Sequence, residues 1–273
     1  MPRRSARSFV IKPAEGDGWR MPVGAAPGSL LADDAADPTT VTRITWNGEQ
    51  HAAVELGPDD DLTPPPGQQV WFDVTGLRDV NWIARLGERL GLHALALEDV
   101  MHTVQRPKFE AFGEAGFVVL RMDGDRARGD QAALWLVGDV IVSFREHAGL
   151  AFEGPRSRLR DNIGGRLRAG TVEGLAAALL DAVVDAWAPP VETLAEALDE
   201  LEDQAFDGDE DVVQSVHDIR RSLGRTARAV RPLAQVIERF RQHHGRHGSD
   251  VDLVLRDVLD HVLRQCDKLG SLR

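Results

Sequence analysis

The sequence is poor in cysteine, in positive charge and in long apolar runs, and each shortage excludes something. The single cysteine, Cys266, rules out an internal disulfide bond and fits a reducing compartment. The net charge of −12 argues against nucleic acid as the main partner, because a phosphate-binding surface needs an excess of Lys and Arg, but it is compatible with cations. The most apolar stretch, residues 174–187, is interrupted by Asp181 and Asp185, and the N-terminus lacks the apolar core of a signal peptide. The chain as given is therefore predicted to be soluble.

Catalytic signatures are missing as well. The chain contains no Gly-rich phosphate loop, no GxSxG and no HExxH, so we do not expect an enzyme. His243, His244 and His247 invite a zinc interpretation, but the glycines around them predict a loop between two helices. Zinc sites normally show tighter and more complete ligand sets, so we do not assign one there.

Residues 41–170 mix strand and helix patterns. Alternating apolar residues predict two strands joined at Asn47-Gly48, a favoured hairpin turn, and Asp79 is predicted to cap a helix. A second short helix is predicted from residue 92 up to the break at Gln105-Arg106-Pro107-Lys108, and the remaining strands are predicted at 68–76, 116–122, 132–138 and 140–144. This mixture predicts an α/β or α+β sheet domain. Residues 1–40, rich in Gly, Pro, Ala and Asp, predict a mobile lead-in.

Residues 171–273 show no strand pattern and predict long amphipathic helices. Apolar residues recur at intervals of three and four, as in a heptad-like seam. We divide this part into a helix hairpin over 171–246 and a last helix over 250–273, and we expect Pro189-Pro190 to kink or break the first helix. The last helix keeps its apolar stripe up to the final residues, which predicts that further structure follows.

Charge is sorted along the hairpin. Between Asp181 and Asp211 there are twelve acidic residues and no Lys or Arg, whereas eight arginines lie between His217 and Arg246. One interpretation is that two antiparallel helices neutralise each other. The other is that the acidic helix keeps spare carboxylates for divalent cations.

Several carboxylates are candidates for binding a cation. Glu98 and Asp99 are adjacent on a short helix, so their side chains diverge and need partners from elsewhere. The alternative is a solvated helix end that faces Lys108. Asp181 and Asp185 are four residues apart on one helical face and repel each other unless a cation or an arginine of the next helix intervenes.

Asp257 and Asp260 form a similar pair on the last helix. Scattered carboxylates of this kind suit magnesium, which is usually held by one or two carboxylates and several waters.

The chain resembles the CorA-type divalent cation transporter family, over about residues 69–273. The segments that carry the resemblance occur in family order, and together they are specific; they read LHALALEDVMHTVQRPKFE, GFVVLRM, VIVSFRE, LLDAVVDAW, LDELED, RPLAQVIERF and LRDVLDHVLRQCDKLGSLR. The QRPK motif at residues 105–108 favours the magnesium branch of the family. The doubled Pro189-Pro190 departs from the family pattern and is expected to bend the acidic helix.

The resemblance implies an α+β fold: an α/β/α sandwich with a mixed sheet, then long antiparallel helices and a stalk helix, arranged in a funnel. It also implies a homopentamer around a pore. The membrane part and the Gly-Met-Asn motif of the pore are expected to lie outside this sequence. The whole protein would then lie in the cell inner or plasma membrane, with this domain in the cytoplasm.

The resemblance further implies that Mg²⁺ bridges Asp99 of one subunit and Asp257 of its neighbour, with Glu98, Asp181 and Asp185 at the same interface. Bound Mg²⁺ would stabilise the closed state of the channel, and Co²⁺, Ni²⁺ or Zn²⁺ are alternative ions. Two alternatives stay open at this point: a zinc-transporting member of the same superfamily, and a soluble helical scaffold that binds no ligand.

Overall fold

The computed structural model describes residues 26–31, 35–122, 130–206, 212–246 and 248–272. The predicted lead-in over residues 1–40 therefore falls largely outside the described residues, as does His247. The seven-stranded sheet and the helices that pack on it confirm the predicted α+β fold class.

Seven strands form one mixed sheet in the order β2-β1-β3-β7-β6-β5-β4. Only the central pair β3–β7 is parallel, and the other neighbouring pairs are antiparallel. The strands are β1 (Thr40–Trp46), β2 (His51–Leu56), β3 (Gln69–Thr75), β4 (Lys108–Phe112), β5 (Ala115–Met122), β6 (Asp130–Val137) and β7 (Val140–Arg145).

Eight α-helices are present among the described residues, and from Val172 onward these residues form no strand. The helices are α1 (Val80–Arg89), α2 (Ala94–Met101), α3 (Glu153–Asp161), α4 (Arg166–Ala169), α5 (Val172–Ala186), α6 (Ala188–Phe206), α7 (Val212–His244) and α8 (Asp250–Ser271). A short 3₁₀ turn, Leu150–Phe152, precedes α3.

Alternation along the strands gives the sheet two apolar faces, and a separate core covers each one. In β3, Phe72 belongs to the core that includes α1 and α2, whereas its neighbour Trp71 belongs to the core that includes α5, α7 and α8. The second core contains residues from both sides of residue 171, where we divide the chain. That division stays a prediction.

Among the helices that the structure describes, α5 is the most apolar, and it lies within the second core. The stretch Val172–Glu202 is long and apolar enough to cross a membrane by length and composition alone. In the structure, nine of the residues of α5 are buried, and α5 contacts the sheet and α8. The helix of a protein core passes the same composition test, so this stretch is weak evidence for a membrane span.

Most of the predicted elements occur where the sequence placed them. Asn47 donates its backbone N–H to Gln50 at the β1–β2 turn, and Asp79 accepts from the N–H of Trp82 at the start of α1. The helix breaks at Trp187, so Pro189 and Pro190 fall in the first turn of α6, where a missing N–H costs little. The predicted break is confirmed.

The prediction that His243 and His244 lie in a loop is wrong. Both belong to the last turn of α7, which ends at His244 just before Gly245. The His244 ring packs against Phe240 at 4.8 Å between centroids, tilted by 38°, and contacts Phe109 of β4, and this packing stabilises the last turn of the helix.

Candidate divalent-cation site

The helix α2 presents Glu98 and Asp99 because its other face is anchored in the core. Its N-terminus is capped by His93, whose Nδ1 accepts from the N–H of Leu95. Leu97 packs where Gly87 of α1 leaves room, since a Cβ on Gly87 would lie 2.3 Å from the Leu97 side chain. The buried residues of α2 are Ala96, Leu97, Val100 and Met101.

Two side chains from the sheet hold the segment that follows α2. Arg121 of β5 donates to the carbonyls of Thr103 and Gln105, at 2.9 and 3.1 Å. Gln131 of β6 donates through Nε2 to the carbonyl oxygen of Asp99 at 2.8 Å, and its Oε1 accepts from the N–H of Gln105 at 3.1 Å. The backbone at Asp99 is thereby tied to β6, and the segment after it to β5 and β6.

The carboxylate of Asp99 already has a cationic partner within the chain. Lys108 Nζ lies 2.6 Å from Asp99 Oδ2 and 2.9 Å from Glu110 Oε1. Burial raises the pKa of Asp99, although the hydrogen bond from Lys108 opposes that shift. Burial opposes the charge of Lys108 too, but the hydrogen bonds to Asp99 and Glu110 raise the pKa of Lys108. The alternative in which this helix end faces Lys108 is therefore what the isolated chain shows for Asp99.

Glu98 has a different partner. Its Oε2 accepts the backbone N–H of Gly28 at 2.5 Å, so the segment 26–31 lies against α2. Gly28 has φ of +79°, and a Cβ there would come within 3.1 Å of the Ala94 Cβ. A glycine is favoured at this position both by the backbone angle and by the close approach.

The other predicted carboxylates meet around His261 of α8. His261 Nδ1 lies 3.5 Å from Asp185 Oδ1, and its Nε2 lies 3.6 Å from Asp257 Oδ2. One ligand atom each from Asp181, Asp185 and His261 lie within 4.8 Å of one another. We call these four residues the α5–α8 cluster.

The α5–α8 cluster combines a buried and an exposed side. Burial raises the pKa of Asp181, and the nearby Asp185 carboxylate raises it further. The side chains of Asp185 and Asp257 are 62% and 72% exposed, so a hydrated ion can reach them. A groove of about 280 Å³ adjoins the cluster and is lined by Asp185, Glu192, His261, Arg264, Gln265 and Lys268.

Within one chain, the structure brings together only part of the predicted set. Asp181, Asp185 and Asp257 are neighbours, since α5 and α8 pack side by side. The buried residues of α2, which carries Glu98 and Asp99, belong to the core on the opposite face of the sheet. Asp260, also on α8, is exposed.

Two residues of these arrangements were missed from the sequence. Lys108 contacts Glu110 as well as Asp99. The sequence feature that could have predicted the contact with Glu110 is the two-residue spacing, which puts Lys108 and Glu110 on one face of a strand. His261 follows Asp257 by four residues, which places both on one helical face. The predicted partner of Asp181 and Asp185 was an arginine of the next helix, whereas the structure gives Asp185 this histidine of α8.

The donor set can serve more than one ion. Carboxylate oxygens suit a hard cation such as Mg²⁺, and their exposure leaves room for the waters that Mg²⁺ retains. An imidazole beside two carboxylates adds affinity for Co²⁺, Ni²⁺ or Zn²⁺. On this ground the residues present fit a divalent cation.

Comparison with known proteins shows consistent similarities. A family model described as “CorA-like Mg2+ transporter protein” matches residues 66–273. The chain is 30% identical over 221 residues to the cobalt/magnesium transport protein CorA of Thermotoga maritima, which covers 78% of this chain and 61% of that protein. The chain thus spans about three fifths of the length of this relative.

Two solved structures have the same fold. The cytoplasmic domain of ZntB from Vibrio parahaemolyticus gives a TM-score of 0.67 at 13% identity, over 85% of this chain and 91% of that one. The CorA magnesium transporter from Methanocaldococcus jannaschii gives 0.67 at 13% identity, over 84% of this chain and 72% of that one.

Proposed function

The chain belongs to the CorA-like Mg²⁺ transporter family, and we propose that it is the cytoplasmic, cation-sensing part of a magnesium transporter. The family is one of transporters and not of enzymes. In this proposal Mg²⁺ is both the transported substrate and the regulator, and it binds between subunits of a homopentamer whose membrane part lies outside the 273 residues.

The observation that carries the proposal is the placement of the acidic groups on two separate faces. Asp99 and Glu98 lie at the end of α2, and Asp257 lies with Asp181 and Asp185 on the α5–α8 side. Asp185 and Asp257 are mostly exposed, and Asp99 has Lys108 as its partner, so neither group forms a closed set of metal ligands in one chain. A second copy that brings its Asp257 against Asp99 would complete a site between subunits.

Such a site explains how an ion controls the assembly. Carboxylates that approach across an interface repel each other unless a cation lies between them. Ion binding therefore favours the closed, symmetric ring, and loss of the ion favours subunits that move apart. The equilibrium shifts by the difference in ion affinity between the two states. Magnesium would thus close the pathway through which it enters.

One observation favours a second ion. His261 lies between Asp185 and Asp257, and imidazole binds Zn²⁺, Co²⁺ and Ni²⁺ better than it binds Mg²⁺. A transporter of zinc or cobalt with the same fold is therefore the second candidate. A CoCl₂ titration run beside the MgCl₂ titration described below separates the two, since His261→Gln should weaken the Co²⁺ response and spare the Mg²⁺ response.

The test is a titration of this chain with MgCl₂ and, at matched ionic strength, with KCl. We follow the thermal midpoint and the mass by light scattering. At an ion concentration ten times the Kd, a specific site adds about 1.4 kcal/mol of stability, which is about 2–3 °C for a chain of this size. Asp99→Asn with Asp257→Asn should remove the magnesium response without unfolding the chain.

The matched control is Asp59→Asn with Asp199→Asn, two exposed aspartates outside both groups. It should keep the magnesium response. A scaffold without a ligand responds equally to both salts, because screening is not specific for an ion. If the full-length protein also responds equally, the carboxylates are only a solvated surface and the proposal fails.

A further inference from the structure

We propose that Lys108 is the resident cation of the Asp99 site, which its ammonium group occupies until a divalent ion displaces it. The inference rests on the proposed function and adds to it the group that sets the ion threshold. The ammonium nitrogen lies 2.6 Å from Asp99 Oδ2. A divalent ion that takes this oxygen as a ligand has to displace the ammonium group, because two cations at one carboxylate oxygen repel each other.

The choice of lysine at this position is unusual for this chain. Of its 32 basic residues, only Lys12, Lys108 and Lys268 are lysines, and all the others are arginines. A guanidinium group is planar and can bind a carboxylate through two parallel hydrogen bonds. An ammonium group is a compact point charge on a flexible stem, so it leaves a carboxylate more readily. Lys108 thus has the chemistry of a replaceable partner.

The structure also supplies a place for the displaced group. Lys108 and Glu110 are two residues apart on β4, so their side chains share one face of the strand. Glu110 Oε1 is 2.9 Å from the ammonium nitrogen, and the Glu110 side chain is 42% exposed, against 13% for Asp99. When an ion takes Asp99, the ammonium group can keep its bond to Glu110 and turn toward solvent.

Asp99 keeps its position when Lys108 moves. Its backbone carbonyl is held by Gln131, and the segment after it is held by Arg121. The carboxylate therefore stays in place while the partner changes from an ammonium group to an ion. The exchange lowers the apparent ion affinity, because part of the binding free energy is used to displace Lys108. This is the property of a sensor that responds only to abundant ions.

The first test needs no variant. The rate at which Lys108 is acetylated by sulfosuccinimidyl acetate is measured by mass spectrometry of the full 273-residue chain, against an added lysine peptide as the reference. Mn²⁺, with K⁺ at matched ionic strength as the comparison, should raise the labelling of Lys108 several-fold. Labelling that is equal in both salts at saturating Mn²⁺ would overturn the exchange.

The second test measures Mn²⁺ binding by the loss of the free-ion signal in electron paramagnetic resonance. Lys108→Met, with Lys108→Gln as a second variant, should bind Mn²⁺ about tenfold tighter than the wild-type chain, the factor expected for removing one partly buried competing cation. Adding Asp99→Asn to either variant should abolish the gain. Arg160→Met removes one positive charge from α3, where Arg160 is 53% exposed, and should bind Mn²⁺ as the wild type does.

The outcomes separate the two proposals. If Lys108→Met binds Mn²⁺ no tighter than the wild type while Asp99→Asn still weakens the magnesium response, the resident-cation inference fails and the proposed function stands. If the gain survives Asp99→Asn, Lys108 acts through general charge and the inference also fails. If Asp99→Asn changes nothing in either background, both proposals fail.

Discussion

The pair Asp181 and Asp185 gives a prediction for the variant Asp181→Asn: it should be more stable than the wild type without ions, but should gain less stability from Mg²⁺. Both are on α5, one turn apart, and burial and the Asp185 charge raise the pKa of Asp181. Asp181→Asn should stabilise the ion-free chain, because it removes a repulsion. The same variant should respond less to Mg²⁺, because it removes a negative ligand.

The magnitude follows from the distance. Two unit charges 4.8 Å apart, the limit that holds among the ligand atoms of Asp181, Asp185 and His261, repel by about 0.9 kcal/mol in water and about 3.5 kcal/mol at an effective dielectric constant of 20. The Asp185 side chain is 62% exposed, so the lower limit is the closer one. We expect Asp181→Asn to raise the free energy of unfolding by about 1 kcal/mol, or the thermal midpoint by about 2 °C.

The pH dependence has a defined sign. Because the pKa of Asp181 in the folded chain is above its ordinary value of 3.8, protonation favours the folded state. The stabilising contribution of the protonated group is present below pH 3.8 and is lost as the pH rises through the raised pKa. The advantage of Asp181→Asn over the wild type should therefore be absent in acid and appear as the pH rises.

The assay is urea unfolding followed by circular dichroism, in EDTA and in MgCl₂ at matched ionic strength. Asp59→Asn, at a fully exposed position, is the control and should change the midpoint little in either solution. An Asp181→Asn chain that is less stable than the wild type in EDTA would refute the reasoning. It would mean that the carboxylate is satisfied within the folded chain and is not held under repulsion.

Two further predictions concern polar groups on the side of the sheet that α5, α7 and α8 cover. Burial lowers the pKa of His244 to about 4, so the free energy of unfolding should fall by roughly 2–3 kcal/mol as the pH falls from about 6.5 to about 4. His244→Gln should remove that loss when urea midpoints are measured over a pH series. A variant with the same pH dependence as the wild type would contradict a neutral, buried imidazole. Asp73 accepts hydrogen bonds from Arg145, Arg156 and Ser143. Asp73→Asn should therefore lower the free energy of unfolding by about 3–5 kcal/mol in the same assay. A loss below about 1 kcal/mol would show that the two arginines find other partners.

Periodicity in the sequence predicted most strands and the long helices, because those segments are buried and their patterns are regular. The strand β4 was missed, since KFEAF follows Pro107 at the sheet edge and only Phe109 is buried. Helices α3 and α4 were missed too, and they are short and rich in arginine. In such segments tertiary contacts decide the structure, and local pattern carries little of that information.

The candidate site was predictable only in part. Helical spacing placed Asp181 and Asp185 on one face, and the structure agrees. The contact between Lys108 and Asp99 was one of the two alternatives that the sequence left open, and the structure shows it. The contact between His261 and Asp185 depends on how α8 packs on α5 and has no local signature. The bridge between Asp99 and Asp257 requires a second subunit and stays a prediction.

The parallel pairing of β3 with β7 has a consequence for synthesis on the ribosome. Val70 pairs with Val140, so the centre of the sheet is completed by residues 70 positions apart. At about 5–20 residues per second, roughly 4–14 s separate the emergence of the two strands. During that interval the nascent β1–β3 unit carries an open, apolar edge at Trp71 and Phe72, which are fully buried in the finished protein. This edge is where we expect chaperones to bind the growing chain.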